Sequence, residues 1–299
     1  MNKVIIITGP TAVGKTKCSL AVAQKLGTDI INGDAYQIYK RMDIGTAKPT
    51  KEELATVKHH MMDFLDPLKP FSAADYQREV RGLIKKMTDE NKIPLIVGGT
   101  GFYLESVIRN YEFTAPRRNE EFLSKFDNYT NEELHNYLEQ INPEAAKNVH
   151  MNNRKRVLRQ REISVAPKHN SNKKSELLYD ALVIFLNDDR ETLYNRINSR
   201  VDEMIKDGLV EEAKSFYPDG LGLTSKAAIG YKELFEYFDG KVSLEEAIEN
   251  IKLNSRHYAK RQMTWFRNKD NVTNVMIDAN NFDSTIKTVL EIIEDFLNK

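Results

Sequence analysis

Near the start of the chain, Gly9-Pro10-Thr11-Ala12-Val13-Gly14-Lys15-Thr16 has the composition and spacing of a loop that cradles phosphate. The glycines let the backbone amides of residues 9–14, among them Gly9, Thr11, Ala12, Val13 and Gly14, curl toward an anion. A following helix would aim its positive end at the same point, Lys15 adds a full charge, and the Thr16 hydroxyl can reach a magnesium ion. The alternative is a turn that binds nothing. A second group, Asn32-Gly33-Asp34-Ala35-Tyr36-Gln37, follows an apolar run and so falls where open α/β sheets bind ligands, beyond the carboxyl ends of the strands. Asp34 could there hold magnesium through water, accept a proton from an incoming nucleophile, or simply cap a solvated turn. Gln37 offers a paired donor and acceptor suited to the edge of a base. A third group, Gly98-Gly99-Thr100-Gly101-Phe102-Tyr103, stands where a Walker-type ATPase places an acid for its metal. It presents only backbone and the Thr100 hydroxyl, which argues against ordinary ATP hydrolysis. A fourth residue, Arg200, is spaced to lie within the apolar face of Leu193, Ile197, Val201 and Met204, so it needs an anion. Either a buried carboxylate or a substrate phosphate opposite Lys15 would serve.

The elements that must position these groups alternate. The sequence predicts strands at 4–8, 29–32 and 93–97, with helices at 15–26, closed by Gly27, and at 73–89. Such alternation implies a parallel sheet with crossover helices. It breaks off from about residue 114 to 178, where Thr130-x-x-Glu133 makes a capping box ahead of Leu134, Tyr137, Leu138 and Ile141. A strand returns at 181–186, then helices at 189–206, 226–238 and 243–267, a strand at 272–277 and a helix at 284–297. The expected fold is therefore α/β, a P-loop NTPase-like parallel sheet flanked by helices. Its core is split into 1–114 and 179–299 around a helical insert at 115–178, and residues 168–175 are polar enough to form a mobile loop.

The 299 residues balance 44 Lys and Arg against 44 Asp and Glu, so net charge decides nothing about a polyanionic partner. The distribution is more informative. Arg154, Lys155, Arg156, Arg159, Arg161, Lys168, Lys173 and Lys174 face a single acid, Glu162, within the insert. Along 243–267, the stripe Ala247, Ile248, Ile251, Tyr258 and Trp265 is expected to pack, leaving Arg256, Lys260 and Arg267 on the other side. Two such strips resemble a nucleic-acid footprint. His59-His60 with Asp63 lacks the thiolates and spacing of a metal site and is read as structural or substrate-contacting. One cysteine, Cys18, permits no internal disulfide and fits a reducing cytoplasm. No run approaches the roughly 20 apolar residues that span a bilayer, so no membrane partner is expected.

The groups at 9–16 and 98–103, with Asp34-x-x-Gln37-x-Tyr39, Asp43-Ile44-Gly45-Thr46-Ala47-Lys48-Pro49, His59-His60-x-x-Asp63, Ile229-Gly230-Tyr231-Lys232-Glu233 and Ala259-Lys260-Arg261-Gln262-x-Thr264-Trp265-Phe266-Arg267, together resemble the tRNA dimethylallyltransferase family. The likeness spans nearly the whole chain apart from the insert. Ala35, Val13 and Lys40 replace residues more usual in the family, and 156–162 departs from its usual pattern. The resemblance implies a P-loop kinase-like fold whose helical insert embraces the anticodon stem-loop. It also implies transfer of a dimethylallyl group, with magnesium, from dimethylallyl diphosphate to the exocyclic amine of the adenosine just after the anticodon. Lys15, Thr16, the loop amides, magnesium and Arg200 would then hold the departing diphosphate. Asp34 would take the amine proton, Thr100, Gln37 and Gly101 would meet the base, and Arg154, Arg156, Arg256, Lys260, Arg261 and Arg267 would hold RNA. A cytoplasmic monomer is expected. Two rivals share parts of this sequence: a P-loop kinase for a small metabolite, and a nucleotide-gated RNA-binding module.

Overall fold

A computed structural model of the chain describes residues 1–113, 120–165, 176–267, 269 and 271–299. Its strands β1 (Lys3–Thr8), β2 (Ile30–Asn32), β3 (His59–His60), β4 (Leu95–Val97), β5 (Asp180–Asn187) and β6 (Val272–Met276) form one all-parallel sheet in the order β3-β2-β4-β1-β5-β6. The helices are, in order, α1 (Lys15–Leu26), α2 (Lys51–Thr56), α3 (Ala73–Asp89), α4 (Gly101–Ile108), α5 (Glu120–Ser124), α6 (Asn131–Ile141), α7 (Pro143–Lys147), α8 (Arg154–Val165), α9 (Arg190–Lys206), α10 (Leu209–Phe216), α11 (Tyr231–Phe238), α12 (Leu244–Arg267) and α13 (Phe282–Leu297).

β1 reads as a continuous apolar run because it is buried on both faces. Ile5 and Ile7 point to one layer, with Cys18 and Val22 of α1 and Val289 and Ile293 of α13. Val4 and Ile6 point to the other, with Tyr76, Val80 and Ile84 of α3. Each such isoleucine contributes roughly 1.5–3 kcal/mol on burial. Ile5, Ile6 and Ile7 pair with Leu95, Ile96 and Val97, and β5 runs along the opposite side of β1. Because every strand points the same way, the phosphate loop, Asp34 and the 98–101 turn all emerge at one edge. A third apolar cluster joins Ile38, Tyr39 and Met42 to α9, α10, α11 and α12, which fixes the segment after β2 against the late helices.

The described residues divide into two compact units, Met1–Asn110 with Glu176–Lys299, and Tyr111–Ser175. Residues 176–178 thus belong with the sheet rather than the insert, because Asn110 N–H donates to Glu176 and Leu178 N–H to Ile108, pinning both chain passages together. The second unit has its own small core of Phe126, Leu134, Leu138, Ala146, Val149 and Val157, and α6 carries the expected capping box at Thr130. The expected loop at 168–175, with Lys168, Lys173 and Lys174, lies outside the described residues.

Two expectations about helices need correction. The helix expected over 226–238 is a 3-10 turn, Ser225–Ala227, followed by α11, since Gly230 sits between them at φ +101°, a conformation that no right-handed helix continues. On α12 the buried residues are Ala247, Ile251, Ala259, Gln262 and Phe266, whereas Trp265 is 38 % exposed. The inward face is rotated from the apolar stripe because Gln262, though polar, finds hydrogen-bond partners inside and small Ala259 lets the helix approach. α2 and β3 carry no strong apolar periodicity and lie outside the elements that the sequence predicts, as does α10, although its buried Leu209, Ala213 and Phe216 recur at helical spacing.

Candidate active site

The phosphate loop joins β1 to α1, with Val13 buried beneath it and Lys15 at the first turn of the helix. The Lys15 ammonium donates to the carbonyls of Gly9 (3.0 Å) and Pro10 (2.8 Å). Burial, reinforced by the neighbouring Arg200 and opposed by Asp34, brings it down to about 8. Arg200 projects from α9 toward the same place, and burial lowers its pKa too. Among the described residues no carboxylate lies within 4 Å of its guanidinium, so the expected choice between a buried partner and a ligand is not settled by an ion pair. The loop, Asp34, Gln37, Thr46, Ala47, Gly98, Gly99 and Arg200 surround a cavity of about 590 Å³. A second, of about 240 Å³, continues from Asp34 and Arg200 between Ile197, Val201, Met204 and Ile251, and also reaches Arg261.

Asp34 leaves β2 in a tight turn, accepting from the backbone N–H of Tyr36 (2.8 Å) and Gln37 (3.4 Å) through one oxygen. Burial raises its pKa, and those N–H groups together with Lys15 and Arg200 pull the other way. A carboxylate held in this balance is a proton acceptor next to a cationic cluster. Thr100 is close by: its hydroxyl accepts from the Ala35 N–H (3.1 Å). The carboxamide N–H groups of Gln37 donate to the Thr46 (3.1 Å) and Ala47 (3.0 Å) carbonyls, which amends the expectation of a free base-reading pair, since only the Gln37 oxygen remains to meet a ligand. For metal, the fitting donors are the Thr16 hydroxyl and the acids Asp34, Glu53 and Glu203 around the cavity, and no group of three or more His, Cys, Asp or Glu side chains converges among the described residues. That arrangement suits magnesium held mainly by phosphate oxygens and water.

Three residues hold this frame, Glu212, Lys48 and Gln262, and residue type and spacing assign none of them a role. Glu212 on α10 accepts from the N–H of Asp43, Ile44 and Gly45, each at 2.9 Å, and from the Tyr231 hydroxyl at 2.6 Å. The loop so anchored is the one that engages Gln37. Lys48 completes it by donating to the Tyr39 carbonyl and to Asp43 and Asp63, each at 2.6 Å. Gln262 accepts from the Thr11 N–H (2.9 Å) and donates to the Gly99 carbonyl (3.1 Å), linking the phosphate loop to the 98–101 turn. A Cβ on Gly99 would stand 2.0 Å from its nitrogen, so glycine is needed for that approach. His60 bonds Asp29 (2.9 Å) and is structural, whereas His59 lines the larger cavity.

The basic residues separate into two kinds. Arg156, Lys260, Arg261 and Arg267 are exposed. Arg154 instead binds the carbonyls of Phe126 and Tyr129, Arg256 binds Asn198 (2.6 Å), and Arg161, 4 % exposed, lies between the rings of Phe126 and Tyr137. Arg161 is therefore removed from the expected cationic strip, and Arg154 and Arg256 are amended to residues whose guanidiniums already brace the protein. Gly101 has the Trp265 indole packed on its Cα and presents no side chain to RNA.

A family model described as IPP transferase matches residues 37–269. A tRNA dimethylallyltransferase of Bacillus velezensis is 50 % identical over 276 residues, covering 89 % of this chain and 88 % of that protein. The protein of the same name in Bacillus subtilis is 49 % identical over 280 residues, covering 90 % and 89 %. Among solved structures, the tRNA isopentenylpyrophosphate transferase of Bacillus halodurans superimposes with a TM-score of 0.76 at 43 % identity, covering 100 % of this chain and 97 % of that one. A eukaryotic dimethylallyltransferase captured acting on tRNA gives 0.81 at 26 % identity, covering 100 % and 80 %. With the phosphate loop, the half-buried Asp34 and the acid-free turn after β4 at one sheet edge, the chain belongs to the tRNA dimethylallyltransferase family.

Proposed function

We propose that this cleft transfers a dimethylallyl group from dimethylallyl diphosphate to the exocyclic amine of the adenosine next to the anticodon in tRNA, releasing diphosphate. The observation that carries the reading is the meeting of Lys15, Arg200 and Asp34 around one cavity, where Lys15 and Asp34 each feel the other two charges and Arg200 feels Asp34. As the allylic C–O bond breaks, negative charge collects on the leaving oxygens. Lys15, Arg200, the Thr16 hydroxyl and the amides of Ala12, Val13 and Gly14 line the cavity that would hold it, the Thr11 N–H being taken by Gln262, and this is electrostatic stabilisation by groups already in place. As the C–N bond forms, the amine proton passes to the free oxygen of Asp34. Thr100, beside Asp34, and the Gln37 oxygen orient the base. The acceptor base must leave its stack to enter the cavity, with Arg156, Lys260, Arg261 and Arg267 available to hold phosphates. Magnesium, held by Thr16 and the diphosphate, would neutralise part of the leaving charge.

The absence of an acid at Gly98 and Gly99 favours this reading over a kinase or ATPase. The chain is taken as a monomer of the cytoplasm, to be checked by sedimentation and by cell fractionation. No helix among the described residues is long and apolar enough to cross a membrane. The deciding assay supplies dimethylallyl diphosphate, magnesium and tRNA without ATP. Diphosphate release with a five-carbon gain on one adenosine is expected, while tight ATP binding with no allylic diphosphate binding would overturn the assignment.

A further inference from the structure

One side of α12 carries alternating aromatic and cationic side chains that the transfer chemistry does not use. Tyr258, Arg261 and Trp265 are spaced i, i+3, i+7 and so share a face. Tyr258 lines both cavities beside Asp34. The Arg261 guanidinium lies 5.7 Å from the Tyr258 ring and itself borders the smaller cavity. One turn further, Trp265 meets Phe102 edge-on, centroids 6.4 Å apart at 76°. Lys269, tied to Glu105 at 2.8 Å, stands 5.4 Å from the Trp265 ring. Phe102 is 37 % exposed and Trp265 38 %, in a region where Lys260, Arg261 and Arg267 are also exposed. The indole packs on Gly101, where a Cβ would stand 2.4 Å away, so the ring pair is fixed to the start of α4, next to Thr100.

Scattered exposed aromatics are ordinary on protein surfaces. Two that touch, are held by backbone packing, are flanked by cations and continue a row that begins at the reacting cavity are a different feature. A base offers a π-face to such rings and its phosphate offers a charge to the flanking Lys and Arg, which is how unpaired nucleic acid is held. We propose that Phe102 and Trp265 form a stacking platform for an unpaired nucleotide of the RNA substrate adjacent to the acceptor base. The proposal rests on the function given above and adds a subsite to it.

Trp265 is the only tryptophan in the chain, so its emission reports the platform directly. An anticodon stem-loop RNA should quench that emission in step with its binding, followed separately by anisotropy of labelled RNA, whereas blunt duplex RNA should bind without quenching. Phe102→Ala should raise the KM for the stem-loop about fivefold to a hundredfold. Diphosphate-donor affinity should stay unchanged, and Phe102→Tyr should restore the KM. Bound stem-loop with unaltered Trp265 emission, equal quenching by duplex, or an unchanged KM in a folded Phe102→Ala protein that still transfers would overturn the platform alone. Wild-type protein that transfers nothing to RNA would instead overturn the function it rests on.

Discussion

Arg200 of α9 and Arg161 of α8 are both inward-facing arginines, and they meet opposite surroundings. Arg161 is closed between rings, its guanidinium carbon 3.8 Å from the centroid of Phe126 and 3.9 Å from that of Tyr137, in the small core of the Tyr111–Ser175 unit. Arg200 borders two cavities and has Lys15, a like charge, as an electrostatic neighbour. Burial works against both charges; one cation lies against the faces of aromatic rings, whereas the other borders cavity space where Glu203, Asp34 and Glu53 offset only part of that penalty and an anion can still enter. An arginine inside an apolar face thus indicates a partner without saying which, and only the fold distinguishes packing from readiness to bind.

The largest test bears on what the cationic pair faces. Asp34→Asn keeps shape but loses the proton acceptor, so kcat should fall about 100- to 10,000-fold while donor binding persists. Near-normal single-turnover rates would remove Asp34 from the base role.

The two arginines can then be set against each other. Arg200→Ala should lower the transfer rate about 100- to 1000-fold with little change in thermal unfolding, whereas Arg161→Ala should destabilise its unit by about 2 kcal/mol and leave diphosphate affinity untouched. Hydrogen exchange across residues 120–165 reads the second effect. If Arg200→Ala melts early and stays active, the contrast collapses.

The mildest effect is in pH. In ligand-free protein Lys15 is held down to about 8, so its charge, and with it donor affinity, is complete below that pH and fades above it. Asp34 is raised by burial, so its basic form is gained as pH rises through its own pKa. The rate at low donor concentration should therefore climb and then fall, by at most about tenfold per pH unit on each limb. Arg200 is one of the causes lowering Lys15, so Arg200→Gln should move the falling limb to higher pH. A falling limb that stays in place would show that the two cations do not sense each other.

The sequence was most legible where local chemistry repeats with a fixed period. β1, α1 with its Gly27 cap, α3 and the Thr130 capping box follow from apolar spacing and capping residues within a few positions of one another. It was least legible at α10, where Glu212 collects three amides from a loop 167 to 169 residues earlier, and on α12, where Gln262 is buried because Thr11 and Gly99 meet it there. Such partners are long-range, and no neighbour in the chain announces them.

By itself, then, the sequence determined that a phosphate loop opens a parallel α/β sheet, that Asp34 follows the second strand, and that no acid follows β4. Those are properties of residue type and near spacing, which set backbone conformation and strand direction. Tertiary structure alone decided that Asp34, Lys15 and Arg200 share one cavity and that Arg154 and Arg161 brace their own unit. It also turned Trp265 outward while Gln262 went in. Each of those depends on which donors, acceptors and rings distant segments bring together, because a buried polar group takes whatever partner the packing supplies.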